Sequence, residues 1–165
     1  MTNQKRITLK NVKHAEFASE ETHCYSASLY FDGKRIGTVS NQGHGGCDDE
    51  RREDKPRWLE MLDYVKTLPK NNWALQGTPL EIEQCLEGVC CDLVNHFLAR
   101  RDFKREASKN AVVIMGGKIM LIGYKNTAPN QKLFTEILSE DPKAEILNLL
   151  PEAEAIDRYQ NHNRT

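Results

Sequence analysis

No apolar run in this chain approaches the length of a membrane span, so a helix that crosses a bilayer is not expected. Charge of one sign is also missing: 23 Lys and Arg stand against 24 Asp and Glu, a formal net charge of -1. A protein whose main task is to coat nucleic acid needs a surplus of cations, so that class is set aside. The cysteines number five, with Cys90 and Cys91 adjacent, and do not form the even, spaced set of a disulfide framework. Reduced thiols are expected. The polar start Met1-Thr2-Asn3-Gln4-Lys5-Arg6 carries no signal-peptide core, and the expected location is cytoplasmic. Internal repeats, low-complexity segments and a close Cys-x-x-Cys pair are all absent from the sequence.

What is present is an ordinary globular composition. At 165 residues, 39% hydrophobic and 28% charged, the chain has enough apolar material for one core, and a single domain over residues 1–165 is expected. Its most informative stretch is Ser40-Asn41-Gln42-Gly43-His44-Gly45-Gly46-Cys47-Asp48-Asp49-Glu50, which gathers glycines, a histidine, a cysteine and carboxylates. So much glycine marks a loop with positive φ or close backbone approach, and loops on a rigid scaffold are where sites tend to sit.

The pattern around that loop is β. Ile7 to Val12 reads as a strand, and Cys24 to Phe31 alternates, with Tyr25, Ala27, Leu29 and Phe31 on one side. Asp32-Gly33 is a hairpin signal, and Lys34 to Ser40 supplies the return strand, which completes a three-stranded meander. With Asp32 and Gly33 as the loop, cross-strand partners sum to a constant: Cys24 faces Asn41, His23 faces Gln42 and Glu21 faces His44. A bulge would shift this by one residue without changing which ends meet. Glu20, Glu21, His23, Cys24, His44, Cys47, Asp48 and Asp49 are therefore expected as neighbours.

Beyond the loop, Trp58, Met61, Leu62, Val65 and Leu68 recur at helical spacing up to Pro69. Thr78-Pro79-Leu80-Glu81 carries an N-cap, a proline at the first helical position and a capping-box glutamate, so a long helix is expected to begin there. Its apolar stripe would be Ile82, Leu86, Val89, Leu93 and Phe97, widened by Cys85, Cys90, Val94 and Leu98. Cys85, Cys90 and Cys91 are expected to be buried, Trp58 to be core and Trp73 to be partly exposed. Ala111 to Met115 and Lys118 to Tyr124 flank Gly116-Gly117 and read as a hairpin near the middle of a sheet. Short helices follow around Gln131 to Leu138, after Asp141-Pro142, and after Pro151. The expected fold is α+β: a largely antiparallel sheet of about five strands packed against two main helices, with short C-terminal helices.

Chemistry at the loop is constrained by its own charges. His23, Cys24, His44 and Cys47 are the ligand types of a structural zinc site, but consecutive strand residues His23 and Cys24 point to opposite faces. No metal or cofactor is expected. Cys47 with His44 has the make-up of a thiolate pair, yet Asp48 and Asp49 raise a thiol pKa, and no catalytic residue is assigned. Gly43-x-Gly45-Gly46 is followed by acid and not by Lys-Ser/Thr, which excludes a phosphate loop. The bland account is a sharp glycine turn between strand and helix, compatible with partner binding through His44, Gly45, Gly46, Cys47, Asp48, Asp49, Glu21, His23 and Asn41. A second candidate is the basic patch Arg100, Arg101, Lys104 and Arg105, near Lys109, though interspersed Asp102 and Glu106 favour ordinary helix-end charge.

At Phe17-Ala18-Ser19-Glu20-Glu21-Thr22, Asp32-Gly33-Lys34, Thr38-Val39-Ser40-Asn41 and Gly43-His44-Gly45-Gly46-Cys47-Asp48, the chain resembles small uncharacterised proteins carried by bacteriophages and other mobile elements. Ile146-Leu147-Asn148-Leu149-Leu150-Pro151 adds to the resemblance. The resemblance implies a non-enzymatic accessory protein that binds and inhibits or modulates a host protein, for instance a component of a host defence system in the manner of an anti-CRISPR protein. An acidic loop could also mimic nucleic-acid phosphates. The alternative is a small enzyme or ligand-sequestering protein that uses His44, Cys47 and Asp48.

Overall fold

The computed structural model describes the backbone of residues 4–75, 78–123 and 127–162, and the side chains of these except at 71–80. By internal contacts the chain divides into two compact units, Met1–Val94 and Asn95–Thr165. Both are α+β, and the strands pair antiparallel throughout the described residues.

The first unit is built on a four-stranded sheet in the order β1 (Ile7–His14), β2 (Tyr25–Phe31), β3 (Lys34–Asn41), β4 (Asp49–Arg52). Alternation decides its faces: Tyr25, Ala27, Leu29 and Phe31 are buried, as their spacing predicts. The turn at Asp32 (φ 47°) and Gly33 (φ 74°) sets the expected register only for Phe31 with Lys34 and Tyr30 with Arg35. A bulge at Ile36 then shifts the pairing, so Tyr25, not Cys24, lies opposite Asn41. Strand β4 was hidden in the sequence because it is Asp-Glu-Arg-Arg, with nothing apolar or β-branched. It exists because β3 offers it a ladder, Ser40 opposite Asp49 and Gly37 opposite Arg52. A fully charged edge strand also blunts further strand addition. The glycine run thus joins two strands of a hairpin and not a strand to a helix.

Helix α1 (Lys55–Lys66) follows directly, capped by Asp54, whose side chain accepts from the Arg57 amide at 3.1 Å. It buries Trp58, Met61 and Val65. Trp58 lies over Gly37, where a β-carbon would come within 2.8 Å of the indole ring and collide with the Arg51 carbonyl. Glycine is needed there for close approach alone.

The expected helix start at Thr78-Pro79-Leu80-Glu81 is overturned. These residues belong to β6 (Thr78–Ile82), paired with β5 (Asn71–Leu75), and helix α2 (Leu86–Ala107) begins later. A residue before proline favours extended backbone, and proline itself tolerates it. The tertiary pairing overrides the local capping signal. Ile82 is consequently exposed, while Leu86, Val89, Cys90, Val94 and Leu98 form the buried stripe. Cys85 and Cys91, expected inside, are exposed. The side chain of Trp73 lies outside the described residues.

The second unit has a three-stranded sheet in the order β8 (Lys118–Ile122), β7 (Ala111–Met115), β9 (Glu145–Ile146). The meander and the later hairpin therefore lie in separate sheets. Strand β7 is central and apolar on both faces. Val112 and Ile114 pack with Phe103, Leu147, Ile156 and Tyr159. Ala111 and Val113 pack with Leu133, Phe134, Ile137 and Ile146. Its partner β8 is an edge strand, with Met120 and Leu121 about half exposed, and not the mid-sheet strand expected. Helices α3 (Gln131–Glu140) and α4 (Glu152–His162) occur where the pattern places them. The helix expected after Asp141-Pro142 is replaced by β9 and a short 3-10 turn, Leu147–Leu149.

Candidate functional site

The glycine loop connects β3 to β4 and is anchored at its base by two groups. One is the carbonyl of Gly43, which accepts from the amides of Glu20, Glu21 and Thr22 at 2.9, 2.9 and 3.3 Å. The other is the side chain of Asn41, 7% exposed. Its Oδ1 accepts from Thr22 Oγ1 at 2.7 Å and from the Gly43 amide at 2.9 Å. Its Nδ2 donates to the Gly46 carbonyl at 3.2 Å and to Asp48 Oδ1 at 3.1 Å. All of the hydrogen-bonding capacity of a buried amide is thus used to shape one loop. Gly43 sits at φ +89°, and a β-carbon there would run into the Ala18 carbonyl. The two requirements coincide only in glycine.

Asp48 is held from the other side by Tyr25, whose hydroxyl donates to Oδ2 at 2.5 Å. Tyr25 is 6% exposed. Burial first, then the neighbouring Cys90 thiol and Asp48, push its hydroxyl pKa far above the usual phenol range. It acts as a fixed donor. Cys47, beside Asp48, is exposed. Its pKa is raised chiefly by the charge of Glu87 on the first turn of α2, next by the hydrogen bond its thiol gives that carboxylate, and then by burial and Asp48. The expectation of a protonated thiol rested on Asp48 and Asp49. The larger cause is Glu87, which the misplaced helix start concealed.

At the loop tip His44 is exposed, with Nδ1 3.1 Å from Glu20 Oε2. Glu21 lies against Gly45, where a β-carbon would meet its carboxylate. Asp49 stands in β4 opposite Ser40, and Glu50 pairs with Arg52 at 2.9 Å. His23 packs edge-on against His14, ring centroids 5.3 Å apart. The structure therefore brings together Glu20 with His44, Glu21 with Gly45, and Asn41 with Gly46 and Asp48. It sends His44 and Cys47 to different carboxylates, so they do not form a nucleophile and base pair. Among the described residues no group of three or more His, Cys, Asp or Glu is arranged to hold a metal ion.

A cleft beside Asp48, lined by Thr22, His23, Tyr25, Glu87 and Cys91, has room for about 70 Å³. Small-molecule sites usually offer about 300 Å³ or more. Sequence reasoning missed Tyr25 and Glu87 for different reasons. Tyr25 was read as an inner-face strand residue, which it is, and its hydroxyl role needs the bulged register. Nothing local marks Glu87.

The basic patch is largely internally paired. Arg100 and Lys104 share Glu152 at 2.8 and 3.1 Å, Arg101 meets Asp102 at 2.9 Å, and Arg105 meets Glu106 at 3.1 Å. Each of the four cations of the patch thus has a carboxylate partner.

No protein-family model, curated protein or solved structure matches the chain.

Proposed function

We propose that this chain is a non-enzymatic accessory protein of phage or plasmid type that binds a host protein and inhibits or modulates it, a component of a host defence system being one such target. The observation that carries this reading is the hydrogen-bonding of the loop base. A loop fastened at Gly43 and Gly46 by Asn41 and by the Glu20–Thr22 amides is a preorganised protrusion, and preorganisation lowers the entropy lost on docking. Its outward groups are Glu20, Glu21, His44, Cys47 and Asp49, and Cys47 is held away from thiolate by Glu87. Such a surface suits contact with a basic patch on a partner and does not suit nucleophilic attack.

The test is capture of the tagged protein from host cells, in parallel with the double variant Glu21→Lys, Asp49→Lys and with Cys47→Ala. One protein should co-purify in stoichiometric amount with wild type and Cys47→Ala and be lost with the charge-reversed loop. Retention of that protein by the charge-reversed variant, or loss of function in Cys47→Ala alone, overturns the reading.

A further inference from the structure

The outer face of the four-stranded sheet, away from α1, is a floor of hydroxyls with a cavity at one end. Register places Lys13, Ser26, Ser40 and Asp49 in one cross-strand row. The next row is Lys10, Ser28, Thr38 and Arg51. Neither Lys13 nor Arg51 has an ion-pair partner among the described residues, and Lys10 lies 4.3 Å from the Tyr30 ring centroid.

The cavity, about 350 Å³, opens over the first row. Its polar side chains include Lys13, His14, Ser26, Ser40 and Gln42, and among the described residues no carboxylate lines it. That is unexpected by position, because Glu16, Glu20, Glu21, Asp48 and Glu87 all belong to this end of the unit. A concave site bordered by a cation and several neutral donors, in a chain of net charge -1, is matched to an anion. Asp49 limits which anion. It stands on the edge strand beyond Ser40, so it repels a second negative group and accepts from a hydroxyl.

We propose that this cavity binds the monophosphate ester of a small polyhydroxylated molecule, such as a sugar phosphate or nucleoside monophosphate. The phosphate lies in the cavity against Lys13, Ser26 and Ser40, and the hydroxylated body extends out of it along the cross-strand row toward Asp49, which stands beyond the lining. The site shares Asp49 with the proposed docking surface, but its cavity residues Lys13, Ser26 and Ser40 lie outside that surface, so Lys13→Gln tests it without altering the loop.

The experiment is titration of ¹⁵N-labelled full-length protein with ribose 5-phosphate, adenosine 5′-monophosphate, inorganic phosphate and sulfate, followed by amide shifts. Saturable shifts at Lys13, Ser26, Ser40 and Gln42 are expected with both esters and weaker ones with inorganic phosphate. Whichever ester binds more tightly identifies the ligand body. Lys13→Gln, an exposed change that leaves the fold intact by circular dichroism, should weaken binding about tenfold. Asp49→Asn should narrow the preference for the esters over inorganic phosphate. Absence of saturation, shifts located elsewhere, or equal response to sulfate and to the esters overturns the proposal.

Discussion

Asn41 and Asp48 are joined by a hydrogen bond of 3.1 Å from Nδ2 to Oδ1, a link that ties the last residue of β3 to the residue before β4. Removing it should cost more than one bond, because the same amide serves Thr22, Gly43 and Gly46. Asn41→Ala is expected to lower unfolding stability by about 2–3 kcal/mol, from polar groups left buried without partners. Asn41→Asp should do at least as much, since it sets an oxygen against the Gly46 carbonyl and the Asp48 carboxylate. Urea denaturation measures both, and a loss under about 0.5 kcal/mol would remove Asn41 from its central place.

Gly43 and Gly46 have nearly the same backbone angle, φ +89° and +92°, but different surroundings. A β-carbon at Gly43 meets the Ala18 carbonyl, and one at Gly46 meets nothing within 4 Å. Gly46→Ala should therefore cost only the conformational penalty, about 1 kcal/mol. Gly43→Ala should cost clearly more, through loss of the contacts to Glu20, Glu21 and Thr22. Equal melting temperatures for the two variants would contradict this.

The Tyr25 hydroxyl gives stability an alkaline limb. Its folded pKa is raised, so the folded state binds the proton more tightly than the unfolded chain. The contribution is intact below the unfolded value of about 10 and declines as pH rises past it. Tyr25→Phe should lower stability at neutral pH by about 1–2 kcal/mol, as Asp48 loses a donor, and should flatten that limb. Stability curves from pH 7 to 11 report both effects.

Cys47 is expected to react slowly with iodoacetamide at neutral pH despite its exposure. Glu87 raises its pKa most, so Glu87→Gln should lower it and speed alkylation at pH 8 severalfold. Peptide mapping separates Cys47 from the exposed Cys85 and Cys91. An unchanged Cys47 rate would show that Glu87 does not govern the thiol.

In the second unit Asn148 substitutes for backbone. Its Oδ1 accepts from the Val112 amide at 2.7 Å, and Nδ2 donates to the carbonyls of Ala107 and Asn110 at 3.2 and 3.0 Å. Asn148→Ala should destabilise the β7 start by about 2 kcal/mol, seen as faster hydrogen exchange at Val112. An unchanged exchange rate there would contradict the assignment.

Much of this was legible where the pattern is local and repeated. The period-2 burial of β2, the 3.6-residue spacing of α1 and the proline before α4 are present in the residues themselves. Strand β4 carries no such pattern, since its existence depends on β3 and not on Asp49 to Arg52. The Thr78 motif shows the converse, a clear local signal outweighed by pairing with β5. The glycine loop was legible as a place. Its wiring was not, because a single bulge at Ile36 decides whether Cys24 or Tyr25 meets Asn41.

The carbonyl of Gly43 joins two segments that are far apart in sequence order yet share one fastening. The amides of Glu20, Glu21 and Thr22 all donate to this one acceptor, so withdrawal of Gly43 frees the three together and couples opening of the segment before β2 to that of the segment after β3. The protrusion is thus one mechanical piece. It either presents its whole outline to a neighbour or none of it, and small thermal fraying of one half is suppressed by the other.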